Sequence, residues 1–351
     1  MDKRAGKKRI IHMTNQVNTP KLLDDLFDRF HHCKISEGRT SNTLRSYVEN
    51  YRFFKSYLSQ HSIEPTIDSL NQSVFRNYIV WMLNDKIRFE QHRFKLDKEK
   101  TIGLSPTTVN IRIKFLRSFV RFLLDEKFID DNPLVNIKRV DENDVGIIIL
   151  SKEQLKKLLA TPDQRTYCGY RDFVLMNVLL DAFLRINEAL SLKTTDIDFQ
   201  ANMIAVRAET SKSRRFRTLP ITKRTTQLIR DLIQASNPFD SDFIFLSNYG
   251  EKLEAGQFRH RLKEYVKESG LLVNVHPHLF RHTAATMFLE AGGDLRHLQM
   301  ILGHRDLRMV IRYTHLSSHS LKRQHELYTP LNEIVGKLNK ARMNININHS
   351  T

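Results

Sequence analysis

Between Leu22 and Leu123 the chain alternates apolar and polar positions at helical spacing in four separate runs. The first opens at Thr19-Pro20, an N-cap followed by proline at the first helical position, and places Leu22, Leu23, Leu26, Phe27 and Phe30 on one face. A second run opens near Ser41-Asn42 and carries Leu44, Tyr47, Tyr51, Phe54, Tyr57 and Leu58. A third begins after Ser69, with Val74, Phe75, Tyr78, Ile79, Met82 and Leu83. Ser105-Pro106 starts the fourth, whose Val109, Ile113, Leu116, Val120 and Leu123 point one way. Its Lys114, Arg117 and Arg121 point the other way, with Arg112 at the border. The polar stretch 86–103 between the third and fourth runs reads as a loop.

The pattern changes after Asn132-Pro133, and 139–149 reads as a linker between domains. Ser151 with Gln154 forms a capping-box signature ahead of Leu155, Leu158 and Leu159. Helices are expected near 168–182 and 184–192. Period-two alternation over 203–208 and 215–221 predicts two strands joined by the hairpin loop 209–214. Residues 243–246 read as a further extended piece, and from Ala255 to about residue 340 the pattern is again largely helical. These boundaries give a basic arm at 1–18, a helical domain at 19–138, a second domain at 150–330 and a tail at 331–351.

Charge sharpens the picture. The 351 residues include 56 Lys and Arg against 39 Asp and Glu, a net charge of +17 that favours a polyanionic partner, nucleic acid above all. The two cysteines, Cys33 and Cys168, lie far from any metal-ligand spacing and fit buried thiols in a reducing cytoplasm. No apolar run is long enough to span a membrane, and no apolar stretch follows the basic residues 1–9 as a secretory signal requires.

The residues able to do chemistry lie in the second half. Arg185 sits in Leu-Arg-Ile-Asn-Glu, three residues from Glu188. His278, Arg281 and His282 share the run His-Leu-Phe-Arg-His, where a spacing of three turns His278 and Arg281 to one side of a helix. Lys212 stands at the hairpin tip, and Leu302-Gly303-His304 precedes Tyr313 by nine residues. Singly, each has an ordinary structural explanation: a helix histidine is usually a core residue, and a hairpin lysine is usually solvated surface.

In this order, Arg, Lys, His-x-x-Arg-His, Gly-His and Tyr, the set resembles the tyrosine recombinase (phage integrase) family. Residues 181–192, 277–286, 302–306 and 311–315 carry the likeness. Lys212, eight residues before Pro220, takes the place of the family's lysine ahead of its "VPL"-like strand. The resemblance covers about 150–330 by motif and 20–138 by size and helical pattern alone. One departure is Phe183, where the family commonly has glycine two residues before its first arginine, which suggests a changed helix start.

The resemblance implies a mostly α fold with a small β-sheet: a helical, SAM-like core-binding domain plus a mixed α/β catalytic domain. It also implies a chemistry. Tyr313 would attack the scissile phosphate, giving a 3′-phosphotyrosine and a released 5′-hydroxyl. Arg185 and Arg281 would hold the non-bridging oxygens, Lys212 would protonate the leaving group, and His304 would hydrogen-bond the phosphate. His278 would accept the tyrosine proton or bind the phosphate, while Glu188 and His282 would support the others. Neither a metal nor another cofactor is implied, and the covalent intermediate conserves the bond energy that rejoining needs.

The expected partners are double-stranded recombination sites bound by a homotetramer that exchanges strands through a Holliday junction. Accessory DNA-bending or directionality factors belong to the same picture. Arg112, Lys114, Arg117 and Arg121 are candidate phosphate contacts, and 41–60 and 105–125 candidate groove helices. The apolar face of Leu331, Ile334, Val335 and Leu338 suits docking on a neighbouring subunit or packing on its own domain. The preferred setting is a mobile element, in a bacterial cytoplasm. Rival readings are a catalytically silent DNA-binding regulator, a type IB topoisomerase, and a His278/His282 metallohydrolase, which lacks the adjacent Glu and a third ligand.

Overall fold

In the computed structural model the described residues are 22–90, 100–142, 148–211, 215–303, Asp306, 308–311, Tyr313, His325, Glu326, Thr329 and Leu331. They fall into two compact units, Met1–Val145 and Gly146–Thr351. Among the described residues no helix is long and apolar enough to cross a membrane.

The first unit is built from α1 (Leu23–Ser36), α2 (Ser41–Gln60), α3 (Gln72–Asn84) and α4 (Pro106–Asp125). Three have side-chain N-caps that satisfy orphan amides of the first turn: Thr40, Asn71 and Ser105. α1 begins later than Pro20 would have it. Leu22 is extended and bridges Thr66, and the Leu23 amide donates to the Pro65 carbonyl at 2.8 Å, so an external acceptor replaces the expected cap. Thr19 and Pro20 lie outside the described residues.

The aromatics fill the core. Phe27 stacks on Tyr51 at 4.0 Å, and Phe30 meets Phe115, Phe119 and Phe122 edge-on. The ends of the 86–103 loop pair with each other through Ile87 and Ile102, and residues 91–99 lie outside the described set. Val140, read as linker, is held on α4 by two hydrogen bonds to the buried Asn110 side chain, at 2.8 and 2.9 Å.

The second unit opens with α5 (Lys152–Ala160), started by the Ser151/Gln154 capping box, and continues through α6 (Tyr167–Asp181) and the single turn α7 (Ile186–Ala189). A three-stranded antiparallel sheet follows: β1 (Ile197–Asp198), β2 (Met203–Val206) and β3 (Arg217–Pro220), in the order β1-β2-β3. Ile204 pairs with Ile197 on one side and Leu219 on the other. β1 was not foreseen, being two residues long, and β2 and β3 are shorter than the alternation suggested. Residues 243–246 make isolated bridges at Phe243 and Leu246 rather than a strand.

Helices α8 (Lys223–Ser236), α9 (Ala255–Glu268), α10 (Pro277–Glu290), α11 (Leu295–Leu302) and α12 (Arg308–Ile311) complete the unit. Its core surrounds α6, whose Val174, Leu175, Met176, Val178 and Leu179 are fully buried. Arg171 and Asp172 of α6 are buried as a pair, and Asp172 also holds Arg261 and Tyr265 of α9. Buried charges survive only when compensated in this way.

Candidate active site

The loop from α6 to α7 sets the first arginine. Phe183 adopts φ +53°, a left-handed conformation that glycine takes freely and phenylalanine takes at a cost of about 1–2 kcal/mol. The ring is retained against Phe288 at 5.9 Å, beside the cluster of Ala285, Leu298, Leu302, Val310 and Tyr313. The substitution for glycine therefore has not moved the backbone out of glycine's territory. Arg185 is the N-cap of α7, and its amide donates to Glu188 Oε2 at 3.1 Å.

Glu188 is the hub. It is 2% exposed, and its carboxylate accepts Arg185 Nη1 at 2.9 Å, Arg217 Nη2 at 2.8 Å and Arg217 Nη1 at 3.3 Å. Burial by itself would raise its pKa. The hydrogen bonds and charges of Arg217 and Arg185 reverse that and hold it at about 2.

Arg281, on α10, is 4% exposed and donates to the carbonyls of Phe183 and Leu302, both at 2.6 Å. Leu302 ends α11, with Gly303 as a left-handed cap at φ +62°, so the guanidinium sits on a helix C-terminus where a cation is favoured. Burial pushes the Arg281 pKa down, the Arg185 charge adds to this, Glu188 opposes it, and Arg217 pushes it down again. Among the described residues, the guanidiniums of Arg185, Arg217 and Arg281 thus gather around the Glu188 carboxylate. Such a cluster is an anion site in chemical terms, with planar donors suited to phosphate oxygens.

Tyr313 lies 3% exposed, its hydroxyl 2.8 Å from His282 Nδ1. Its charge state bears on Arg281, the residue next to His282. Among the described contacts, the tyrosine hydroxyl thus meets His282, to which the sequence reading gave a supporting role. His278 is exposed in the first turn of α10, and Arg281, three residues on, is buried. Lys212 and His304 lie outside the described residues.

Sequence reasoning also missed Arg217. The signal was present: Arg217, Leu219 and Ile221 alternate with exposed Thr218 and Pro220, which puts an arginine on the buried side of β3. Of the four expected phosphate contacts on α4, Arg112 lies 3.4 Å over the Phe53 ring and donates to Asn50, and Arg117 donates to the Ile137 carbonyl at 2.5 Å. Both are committed inside their own unit. Lys114 and Arg121 are exposed, the latter paired with Asp125 one turn on.

Residues 149–320 match the phage integrase family. The chain is 29% identical over 315 residues to tyrosine recombinase XerD of Listeria innocua serovar 6a, covering 88% of this chain and 99% of that one. It is 30% identical over 309 residues to tyrosine recombinase XerC of Chlamydia trachomatis serovar L2, covering 85% and 95%. In fold it is similar to the Tn1549 transposon integrase bound to transposon right end DNA, with a TM-score of 0.69, 20% identity and coverage of 87% and 99%. It is also similar to a lambda integrase dimer bound to a core site, with a TM-score of 0.63, 16% identity and coverage of 84% and 77%.

Proposed function

The chain belongs to the tyrosine recombinase (phage integrase) family and is a site-specific DNA recombinase, and from that premise we propose that Tyr313 is its nucleophile and a mobile element its setting. The observation that carries the chemical reading is the cluster of Arg185, Arg217 and Arg281 around the buried Glu188, with the Tyr313 hydroxyl on His282 beside it. A phosphodiester has one negative charge, and a second develops as the attacking oxygen adds. The planar cationic donors of Arg185 and Arg281 bind the oxygens more strongly as that second charge develops, which is the condition for catalysis.

In the proposed step the Tyr313 oxygen bonds to phosphorus and its proton passes to His282 Nδ1, which must be the unprotonated ring nitrogen. The bond from phosphorus to the 5′ oxygen breaks, and Lys212 supplies the proton for that oxygen. Arg185 and Arg281 hold the non-bridging oxygens; His304 adds a hydrogen bond. Tyr313 is 3% exposed without DNA, and in this reading DNA binding brings its hydroxyl to the phosphate. Reversal with a different 5′-hydroxyl rejoins the strand, and four subunits on two sites exchange strands pairwise through a Holliday junction.

The mobile-element setting is supported by the extra length. The XerD relative is matched over 99% of its chain by 88% of this one. The charged 86–103 stretch and the net charge of +17 point the same way. Deleting the gene and amplifying across the joined ends of the surrounding element tests it. Loss of the circular junction with normal chromosome segregation is expected. An unchanged junction together with filamentous, unsegregated cells would instead assign the enzyme to chromosome-dimer resolution.

A further inference from the structure

We infer that Arg217 is a positioning residue for strand cleavage, locking Ser211 and the Gly303 turn onto Glu188; the inference rests on the transesterification reading above. Arg217 opens β3, and strand alternation turns its side chain inward. There its fork lies flat on Glu188, with Nη2 to Oε2 at 2.8 Å and Nη1 to Oε1 at 3.3 Å. The same Nη1 reaches Ser211 Oγ at 3.3 Å, and that hydroxyl donates to Glu188 Oε1 at 3.4 Å. Ser211 is 4% exposed and directly precedes Lys212 in the chain.

The third arm runs to α11. Nε donates to the Ile301 carbonyl at 3.3 Å, and the guanidinium lies so close to Gly303 that a Cβ there would meet its Cδ, Cζ and Nε at 3.2–3.3 Å. Gly303 directly precedes His304. One planar cation thus fastens the segment of Arg185 and Glu188, the base of the lysine hairpin, and the turn that leads to the second histidine. A lysine in its place has the charge but not the fixed fork, and cannot reach all of these acceptors at once.

Arg217 is 10% exposed in its side chain, and its Nε, Nη1 and Nη2 each donate to a protein acceptor, so its role is to hold its neighbours. What it fixes is the base from which Lys212 reaches the leaving oxygen. Proton delivery in the transition state depends steeply on such placement.

A change of leaving atom isolates that role. When sulfur replaces the bridging 5′ oxygen, the phosphorus–sulfur bond breaks to give a thiolate, which needs no proton because thiols ionise near pH 8.5. Single-turnover formation of the covalent complex is measured at saturating protein on nicked duplexes with either bridging atom. The proteins are wild type, Arg217→Lys, Ser211→Ala and, as a phosphate-clamp control, Arg281→Lys. Arg217→Lys should be about a hundredfold slow with oxygen and within about fivefold of wild type with sulfur. Ser211→Ala, which leaves every cation in place, should be about tenfold slow with oxygen and rescued likewise. Arg281→Lys should stay slow with both.

Equal losses on the two substrates, in Arg217→Lys and Ser211→Ala proteins that melt and bind DNA like wild type, would overturn the positioning role and leave the transesterification reading standing. If Arg217→Lys fails to fold, Ser211→Ala decides the matter alone. A wild type that forms no covalent complex with either substrate would overturn both.

Discussion

Glu188→Gln keeps the shape of the hub and removes one charge from among three guanidiniums. Its carboxyl ionises at about 2 in the folded chain against an ordinary 4.5. That difference corresponds to about 3 kcal/mol of preference for the folded, ionised form. An independent route gives a similar figure, since deleting one partner of a buried ion pair costs ~3–5 kcal/mol. In a unit the size of Gly146–Thr351 this lowers Tm by about 6–12 °C. The sign with pH follows from the depressed pKa: the stabilisation is complete above 4.5 and is lost as pH falls towards 2. Thermal melts of wild type and variant from pH 7 down to pH 2 should therefore converge across that window, because glutamine does not titrate. Added duplex DNA should raise the variant's Tm more than the wild type's, as a phosphate replaces the missing anion. A variant within about 1 kcal/mol of wild type at pH 7, with a parallel acid profile, would refute the hub.

Gly303→Ala places a Cβ in a left-handed turn and against Arg217, so a loss of about 1–2 kcal/mol is expected, with slower covalent complex formation, by melt and single-turnover assay. Asp172→Asn breaks a carboxylate shared by Arg171, Arg261 and Tyr265 at 0% exposure. It should cost about 3–5 kcal/mol in urea unfolding and leave cleavage per folded molecule unchanged, since the group lies outside the arginine cluster. His282→Ala should slow covalent complex formation by about a hundredfold and His278→Ala by much less; the reverse order would return the tyrosine's proton to His278.

The helices were legible because each buries one face at regular spacing. Leu23, Leu26, Phe27 and Phe30, and Val109, Ile113, Leu116, Val120 and Leu123, are all buried as their periodicity demanded. Ser105-Pro106 and Ser151/Gln154 announced helix starts because caps are local chemistry. The start of α1 was not legible, since the amide acceptor comes from Pro65, some forty positions away and invisible to a local signal. Arg112 was misplaced for a related reason: at the border of a helical face, only the partner helix, here through Phe53 and Asn50, decides which way a guanidinium turns.

At the site, residue order identified Arg185, Glu188, Arg281 and Tyr313 as a set, and folding brings Arg185, Glu188 and Arg281 together with Tyr313 close by. Order says nothing about which of two histidines in His-Leu-Phe-Arg-His faces the tyrosine. That depends on how α10 packs against α11 and α12, which sets the His282 ring on the Tyr313 hydroxyl. Phe183 illustrates the opposite lesson. A bulky residue at a glycine position suggested an altered backbone, yet the backbone is left-handed all the same, with the ring held by Phe288.

The central claim, that Tyr313 forms the covalent bond to DNA, is tested most directly by trapping. Wild type and Tyr313→Phe are mixed with nicked suicide duplexes from the ends of the surrounding element, without divalent metal or ATP, and resolved on denaturing gels. A DNA-linked protein band with wild type alone, its peptide adduct on Tyr313, is the predicted result. A band of equal strength with Tyr313→Phe would contradict the assignment.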